Sequence, residues 1–489
     1  MSVAELSPSI LWRHFQLLCD TPRPSNEEAL LKSRIRDLLQ GHNVSVMEDE
    51  VGNLLLRKPA SPGAEAAPGV VLQSHLDMVA QKNEDTRHDF SHDPIKAYVD
   101  GEWVTAEGTT LGADNGMGVA AILAVMTSDD IRHGPLEALL TINEEAGMTG
   151  AKGLQAGMLQ GTLLLNLDTE EEGELYIGCA GGVDVSATLV YEQEAPAPDL
   201  SYLHLAVKGL KGGHSGIDIH RGRGNAVKLM NRTLMHLQQQ LPGLRLASFT
   251  GGSLRNAIPR EAFANIAVLA VDVAKVNDII QQCLTQYRQE LGAVEPNLHL
   301  SMSAIDAEPL LPEGLCERLL RTVAGCPHGV FRMSTDFEGV TETSNNLASI
   351  KMDSHCIRLE CLTRSLKNSA RDEAAQSVAA VFHLAGAEVE IEGHYPGWTP
   401  NKNSTLLHSL THLHEEVMGF TPKIQVIHAG LECGILGANY PDWDMISFGP
   451  TIRGAHSPDE AVHIGSVAKF WEFLLASLDY LAGLKRSSI

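Results

Sequence analysis

The apolar run LEALLTI, residues 136–142, is followed at once by two adjacent carboxylates, Glu144 and Glu145. Each raises the cost of ionising the other, so the pair belongs either on a solvated surface or beside a cation. Four other places along the chain carry similar chemistry. The run VVLQS delivers His75-Leu76-Asp77, and residues 110–118 carry Asp114-Asn115 between glycines. The run TLLLNL ends in Asp168, and DMISFGP leads into a loop holding His456 within GAHSPDE. Any one of these is ordinary: an Asp-Asn-Gly string is a common turn. Taken together, five connections present imidazole or carboxylate with almost no Lys or Arg among them. Those are the ligands of zinc-type ions, without thiolate. The set exceeds what one tetrahedral ion needs, and two metals sharing a bridging carboxylate would use them all.

The elements that position these groups follow from periodicity. Residues 8–40 are helical by spacing, with Leu30, Leu31, Ile35, Leu38 and Leu39 on an apolar stripe after a capped start at Pro24–Glu28. VSVMEDEVGNLLLRK reads as two strands and a turn, GVVLQSHLDMV as a buried strand, and GMGVAAILAVMTS as a small-residue helix. LEALLTI is a further strand, a helix is expected through 150–159, and TLLLNLD is another strand. This alternation predicts an α/β fold with a mostly parallel central sheet covered by helices. Ligands gather at the carboxyl ends of such strands, which is where the five connections fall.

Two stretches read as borders, the acidic YEQEAPAPDL at 191–200 and GHYPGWTPNKNS at 393–404. The expected organisation is a catalytic domain in two segments, 1–190 and 395–489, with an inserted α+β lid and dimerisation domain at 191–394. Strands are expected at SYLHLAVKGL, FANIAVLAV, LHLSMSAI and CIRLECLT, and helices near 224–240, 274–290, 314–325 and 367–385. The insert is long enough for two similar halves meeting near 295.

The chain has 489 residues, 37 basic and 61 acidic side chains and a formal charge of −24. Such a chain repels phosphate backbones, so nucleic acid is not an expected partner. No run approaches the ~18 apolar residues of a membrane span, and the N-terminus lacks the pattern of a signal peptide. The eight cysteines are scattered and read as reduced, buried thiols of a cytoplasmic protein.

In order, His-x-Asp, Gly-Ala-Asp-Asn-Gly, Glu-Glu-x-Gly, Asn-x-Asp and Ala-His-Ser-x-Asp-Glu closely resemble the co-catalytic zinc peptidase family, which includes carnosinases, aminoacylases and acetylornithine deacetylase. The likeness spans the whole chain. The strings LQSHLDMVAQKNEDTRHDF, LGADNGMG, KGLKGGHSG, LRNAIPREAFA, HAGLECG and GPTIRGAHSPDEAVHI narrow it to a branch acting on dipeptides, aminoacyl-histidine (carnosine-like) ones among them. The alternative is an N-acyl amino acid amidohydrolase (aminoacylase or deacylase) of the same family.

The resemblance implies two zinc ions per chain, with manganese or cobalt as substitutes. His75 and Asp168 would hold one, Glu145 and His456 the other, and Asp114 would bridge them through a loop whose Asp114–Asn115 bond is cis. Asp77 would orient the His75 ring. Glu144 would be the general base that takes a proton from the attacking water and passes it to the leaving amine. From the insert, His214 would donate to the developing oxyanion. Asn256 and Arg364 would handle substrate. The HAGLECG loop would receive a substrate carboxylate on backbone N–H groups around Gly430, and Glu432 would meet a substrate ammonium. A homodimer is expected.

Overall fold

The computed structural model describes residues 2–485. The chain divides into two compact units. One comprises Met1–Gly178, Trp398–Val426 and Leu431–Ile489, the other Cys179–Gly397 and Ile427–Gly430. The crossing at Gly178/Cys179 precedes the acidic 191–200 stretch. Strand Gly181–Val190 lies in the second unit because it pairs with Cys356–Ser365 on one side and Glu388–Tyr395 on the other.

The first unit is built on an eight-stranded sheet. Its middle is parallel: strand Leu136–Thr141 lies beside Val70–His75, then Leu163–Asn166, then Asp444–Ser447. The flanking hairpin, Ser45–Glu48 and Leu54–Lys58, is antiparallel. All six residues of Val70–His75 are buried, as expected of a strand covered on both faces. Helix Ala113–Thr127 packs against that strand and against helix Ser9–Cys19. It is made of small and apolar residues and is buried almost all round. The 8–40 region forms two helices, Ser9–Cys19 and Ala29–Leu38. The side chains of 23–28 do not cap the second one: its N-cap, Glu28, makes no capping bond. The helix expected through 150–159 is short, Thr149–Gly153.

The second unit is a nine-stranded antiparallel sheet with the order set by two groups. One group, from Leu200–Lys208 to His299–Ile305, follows β-α-β-β-α-β connectivity with helices Ala226–Gln240 and Val273–Leu291. The other begins with Gly181–Val190 and resumes at helix Glu313–Gly325, with an extra strand, Gly329–Met333, added beside Thr341–Met352, so the first group is inserted into it. The halves therefore part after Ile305, not near 295, because His299–Ile305 completes the first group by pairing with Leu200–Lys208. In the strand ladder the two groups meet at Gly251 and Ile350. Four amphipathic helices bury one continuous core against the sheet, with Val227, Met230, Leu234, Ile280, Tyr287, Leu319, Val378 and Phe382 among it.

Strand Thr341–Met352 had no apolar alternation to announce it, yet its first ten residues are buried. Most of its polar side chains find partners inside the unit, although Asn346 Oδ1 has none. Asn346 Nδ2 donates to the carbonyls of Arg255 and Ala257, Asn345 Nδ2 donates to Pro327 O, and Ser349 Oγ donates to Glu360. Hydrogen bonding supplies what the hydrophobic pattern lacked.

Candidate metal centre

Parallel strands that start together end together, so His75, the Ile142–Glu145 turn, Asp168 and the loop after Ser447 emerge along one edge of the first unit's sheet. Asp114 joins them from the start of helix Ala113–Thr127, and its peptide bond to Asn115 is cis. Among the described residues, four that are not glycine have positive φ, and Asn26, Asn143 and His456 are three of them. All three lie in the connections around this edge, where side chains must be aimed more than packed.

The side chains meet closely. His75 Nε2 lies 3.2 Å from Asp114 Oδ1 and 3.5 Å from Asp168 Oδ1. The other Asp114 oxygen, Oδ2, lies 3.1 Å from His456 Nε2, which is 2.9 Å from Glu145 Oε1. Asp114 thus turns one oxygen to each of two imidazole–carboxylate sets. In the groups His75/Asp114/Asp168 and Asp114/Glu145/His456, the ligand atoms lie within 4.8 Å of one another, and Glu144 joins His75 and Glu145 in a third such group.

This donor set fits divalent cations. His75 Nδ1 sits 3.1 Å from the Asp77 carbonyl and 3.3 Å from its Oδ1. A proton on Nδ1 leaves Nε2 as a lone pair facing two carboxylates, an arrangement that calls for a positive charge between them. Glu145 Oε1 is buried and lacks a hydrogen bond of good geometry despite its closeness to His456, whose N–H is aimed at Asp114. In a metal-free cluster, protons fill the deficit. Burial disfavours a charged His75, but Asp168, Asp114 and Asp77 outweigh it and hold the imidazole well above its usual range. The hydrogen bond to Asp114 and the Glu145 carboxylate beside it push His456 up to about 11, against burial. Burial raises the Glu144 and Asp168 carboxyls far above theirs, helped by the neighbouring carboxylates and opposed by His75. Asp114 goes the other way: burial raises its carboxyl, but the two imidazoles outweigh that and hold it low.

Further residues hold these ligands. Asp77 does more than face the His75 ring: its carboxylate accepts from the backbone N–H of Glu144 at 3.0 Å and of Glu145 at 3.2 Å. The two glutamates are therefore anchored through their main chain by one carboxylate. Glu460, in the His456 loop, is buried and accepts from four successive N–H groups, those of Leu111, Gly112, Ala113 and Asp114. Within the sheet, Ser447 donates to Asn166, Asn166 donates to Gln73, and Gln73 donates to Glu432 at 2.6 Å. Sequence reasoning passed over Gln73 and Asn166, though each stands two residues before a ligand and so shares its face of the strand.

Glu432 is 0 % exposed, and its Oε2 also accepts from Thr141 at 2.6 Å. A carboxylate buried in this way cannot meet a substrate ammonium in this conformation, which corrects the sequence expectation. Burial pushes its carboxyl up to about 7.

The remaining sequence candidates lie in the second unit. His214 Nδ1 accepts from the N–H groups of Gly216 and Ile217 at 3.2 and 3.0 Å, which puts the proton of a neutral ring on Nε2. Exposed Asn256 is close by, its carbonyl accepting from Ser215 N at 2.8 Å. Arg364 is buried, donates from Nη1 to Tyr395 Oη at 2.6 Å and has no partner for Nε. Gly430 is half-buried, at the end of the Ile427–Gly430 stretch.

Over 474 residues the chain is 47% identical to the cytosol non-specific dipeptidase of Escherichia coli, covering 96% of this chain and 97% of that protein. It is 47% identical to the aminoacylhistidine dipeptidase of Vibrio alginolyticus, whose crystal structure superposes with a TM-score of 0.85 over 98% of both chains. The aminopeptidase PepT of Bacillus cereus shares the fold at 16% identity, with a TM-score of 0.57 over 98% of this chain and 99% of that one. Residues 71–479 match the model of peptidase family M20/M25/M40, and the chain belongs to that family.

Proposed function

We propose that this protein is a two-metal dipeptidase that hydrolyses short peptides, aminoacyl-histidine dipeptides among them. The observation that carries the reading is the placement of Asp114 between two imidazole–carboxylate sets, in a chain 47% identical to two proteins named as dipeptidases. Those names support a dipeptidase over the N-acyl amino acid amidohydrolase.

His75 and Asp168 would hold one ion, Glu145 and His456 the second, and Asp114 both. The nitrogen and oxygen donors suit zinc, with manganese or cobalt as substitutes. When bound, the pair supplies Lewis acidity toward the scissile carbonyl and acidifies water toward neutral pH. Glu144 takes the proton of the attacking water on a carboxylate oxygen. The water oxygen bonds to the carbonyl carbon, the C–N bond breaks, and Glu144 returns the proton to the departing amine nitrogen. Asp77 keeps His75 in one tautomer and fixes the Glu144–Glu145 backbone. His214, with its proton on Nε2, is the donor proposed for the oxyanion, and Asn256, Arg364 and the Gly430 backbone are proposed to orient substrate. In this reading the first unit is catalytic and the second a lid and dimerisation domain of a cytoplasmic homodimer. No helix among the described residues is long and apolar enough to cross a membrane.

The test is hydrolysis of carnosine, Gly-His and N-acetylated amino acids before and after chelation. The expected result is cleavage of the free-amine dipeptides, lost on chelation and restored by zinc. Preference for the acylated substrates, or full activity after complete metal removal, would overturn it.

A further inference from the structure

The segment TPRPSNEE, residues 21–28, reads as a helix start but does not cap a helix. It also lies before the region matched by the family model, which begins at residue 71. Its side chains are spent elsewhere in the first unit. Arg23 is 2% exposed, and its Nη1 donates to the carbonyls of both Leu76 and Asp77 at 2.9 Å. Its Nη2 donates to the carbonyl of Gly112. One guanidinium therefore joins the loop that carries His75 to the loop that carries Asp114. A Cβ on Gly112 would stand 2.6 Å from that Nη2, so glycine leaves the room the fork needs.

Ser25 Oγ donates to Asp77 Oδ2 at 2.7 Å, the oxygen that also receives Glu145 N. Asn26 N donates to Asn143 Oδ1, and Asn143 N donates to buried Glu28 Oε1 at 3.0 Å. Met78 N closes the join by donating to Arg23 O at 3.1 Å. Four residues, Arg23, Ser25, Asn26 and Glu28, thus touch three connections: those of His75, Asp114 and the Glu144–Glu145 turn. A buried guanidinium is costly unless well partnered; here both terminal nitrogens are committed to three carbonyls in two loops, while Nε has no partner. Its rigid planar fork suits this use, where an ammonium would act as a single point.

We propose that Arg23 and Ser25 are positioning residues of the metal centre: the 23–28 segment is a strap that sets the spacing between the His75, Asp114 and Glu145 loops. This rests on the two-metal reading. If the strap sets ligand spacing, loosening it weakens metal binding and misplaces Glu144 in a folded protein. If it only stabilises the fold, melting temperature falls and the metal site does not change.

The experiment compares Ser25→Ala, Ser25→Thr, Arg23→Lys and His75→Ala with the unaltered chain. It measures zinc affinity by chelator competition, the visible spectrum of the cobalt-loaded protein, and kcat and KM on Gly-His. Ser25→Ala and Arg23→Lys are expected to lose about 10- to 100-fold in zinc affinity, with an altered cobalt spectrum and a fall in kcat larger than any change in KM. Ser25→Thr keeps the hydroxyl and recovers affinity. Should Arg23→Lys not fold, Ser25→Ala decides. Wild-type zinc affinity and cobalt spectrum in Ser25→Ala would overturn the strap, whatever its melting temperature. His75→Ala separates the two claims, since undiminished zinc binding there would overturn the metal centre itself.

Discussion

At the residue scale, adjacency and direction decide what each carboxylate does. Glu144 and Glu145 share an anchor at Asp77, yet only Glu145 approaches His456. Removing the charge of Glu144 should therefore spare metal binding and stop proton transfer. Glu144→Gln is expected to retain its metal, measured by elemental analysis, and to lose about 10²- to 10⁴-fold in kcat. A second prediction concerns Glu432, whose carboxyl is buried and raised to about 7. A raised carboxyl means the folded chain holds that proton where the unfolded chain has released it. The contribution of Glu432 to the stability of the metal-free protein should then fall as pH rises from about 4.5 to about 7, and level off above that, alongside those of the raised Glu144 and Asp168 carboxyls. Glu432→Gln should lessen this slope and raise stability above pH 7, as read from urea unfolding at several pH values. The grouping of His75, Asp114, Glu145, Asp168 and His456 was legible because imidazole and carboxylate stood at the ends of apolar runs. Glu432 was misread because a charged residue in a Gly-broken loop looks exposed, and only the tertiary fold seats it beside Gln73 and Thr141.

At the element scale, the parallel strands and helix Ala113–Thr127 carry the site. The strand pattern was plain in the sequence, since six-residue buried runs need little context. The helix approaches the sheet closely at Gly118, where a Cβ would stand 2.6 Å from Leu167 O and 2.7 Å from Asn115 Oδ1. Asn115 Nδ2 donates to that same carbonyl at 2.7 Å. Gly118→Ala should push the helix off the strands, with a loss of about 1–3 kcal/mol seen as a lower melting temperature. An unchanged melting temperature would refute close packing as the reason for this glycine. Strand Thr341–Met352 and the 23–28 segment were not legible. The first is stabilised by side-chain hydrogen bonds and the second by buried polar contacts to distant loops, neither of which leaves a periodic signal.

At the scale of the whole molecule, the chain interrupts one α/β unit with a second unit in which a β-α-β-β-α-β group is inserted into a second strand-and-helix group. The insertion was readable from the return of strand–helix alternation after residue 404. Its limits were not, because strand Gly181–Val190 is as apolar as those of the first unit and only its partners assign it. The five side chains proposed as ligands come from four strand ends and a helix start spread between residues 75 and 456, so they meet only once the interrupted unit has closed. The central claim is that Asp114 serves two ions there. Metal analysis of purified protein, beside Asp114→Ala, tests it most directly. The account predicts two divalent ions per chain and loss of both sites' tight binding in the variant. One ion per chain, or two that persist without Asp114, would contradict it.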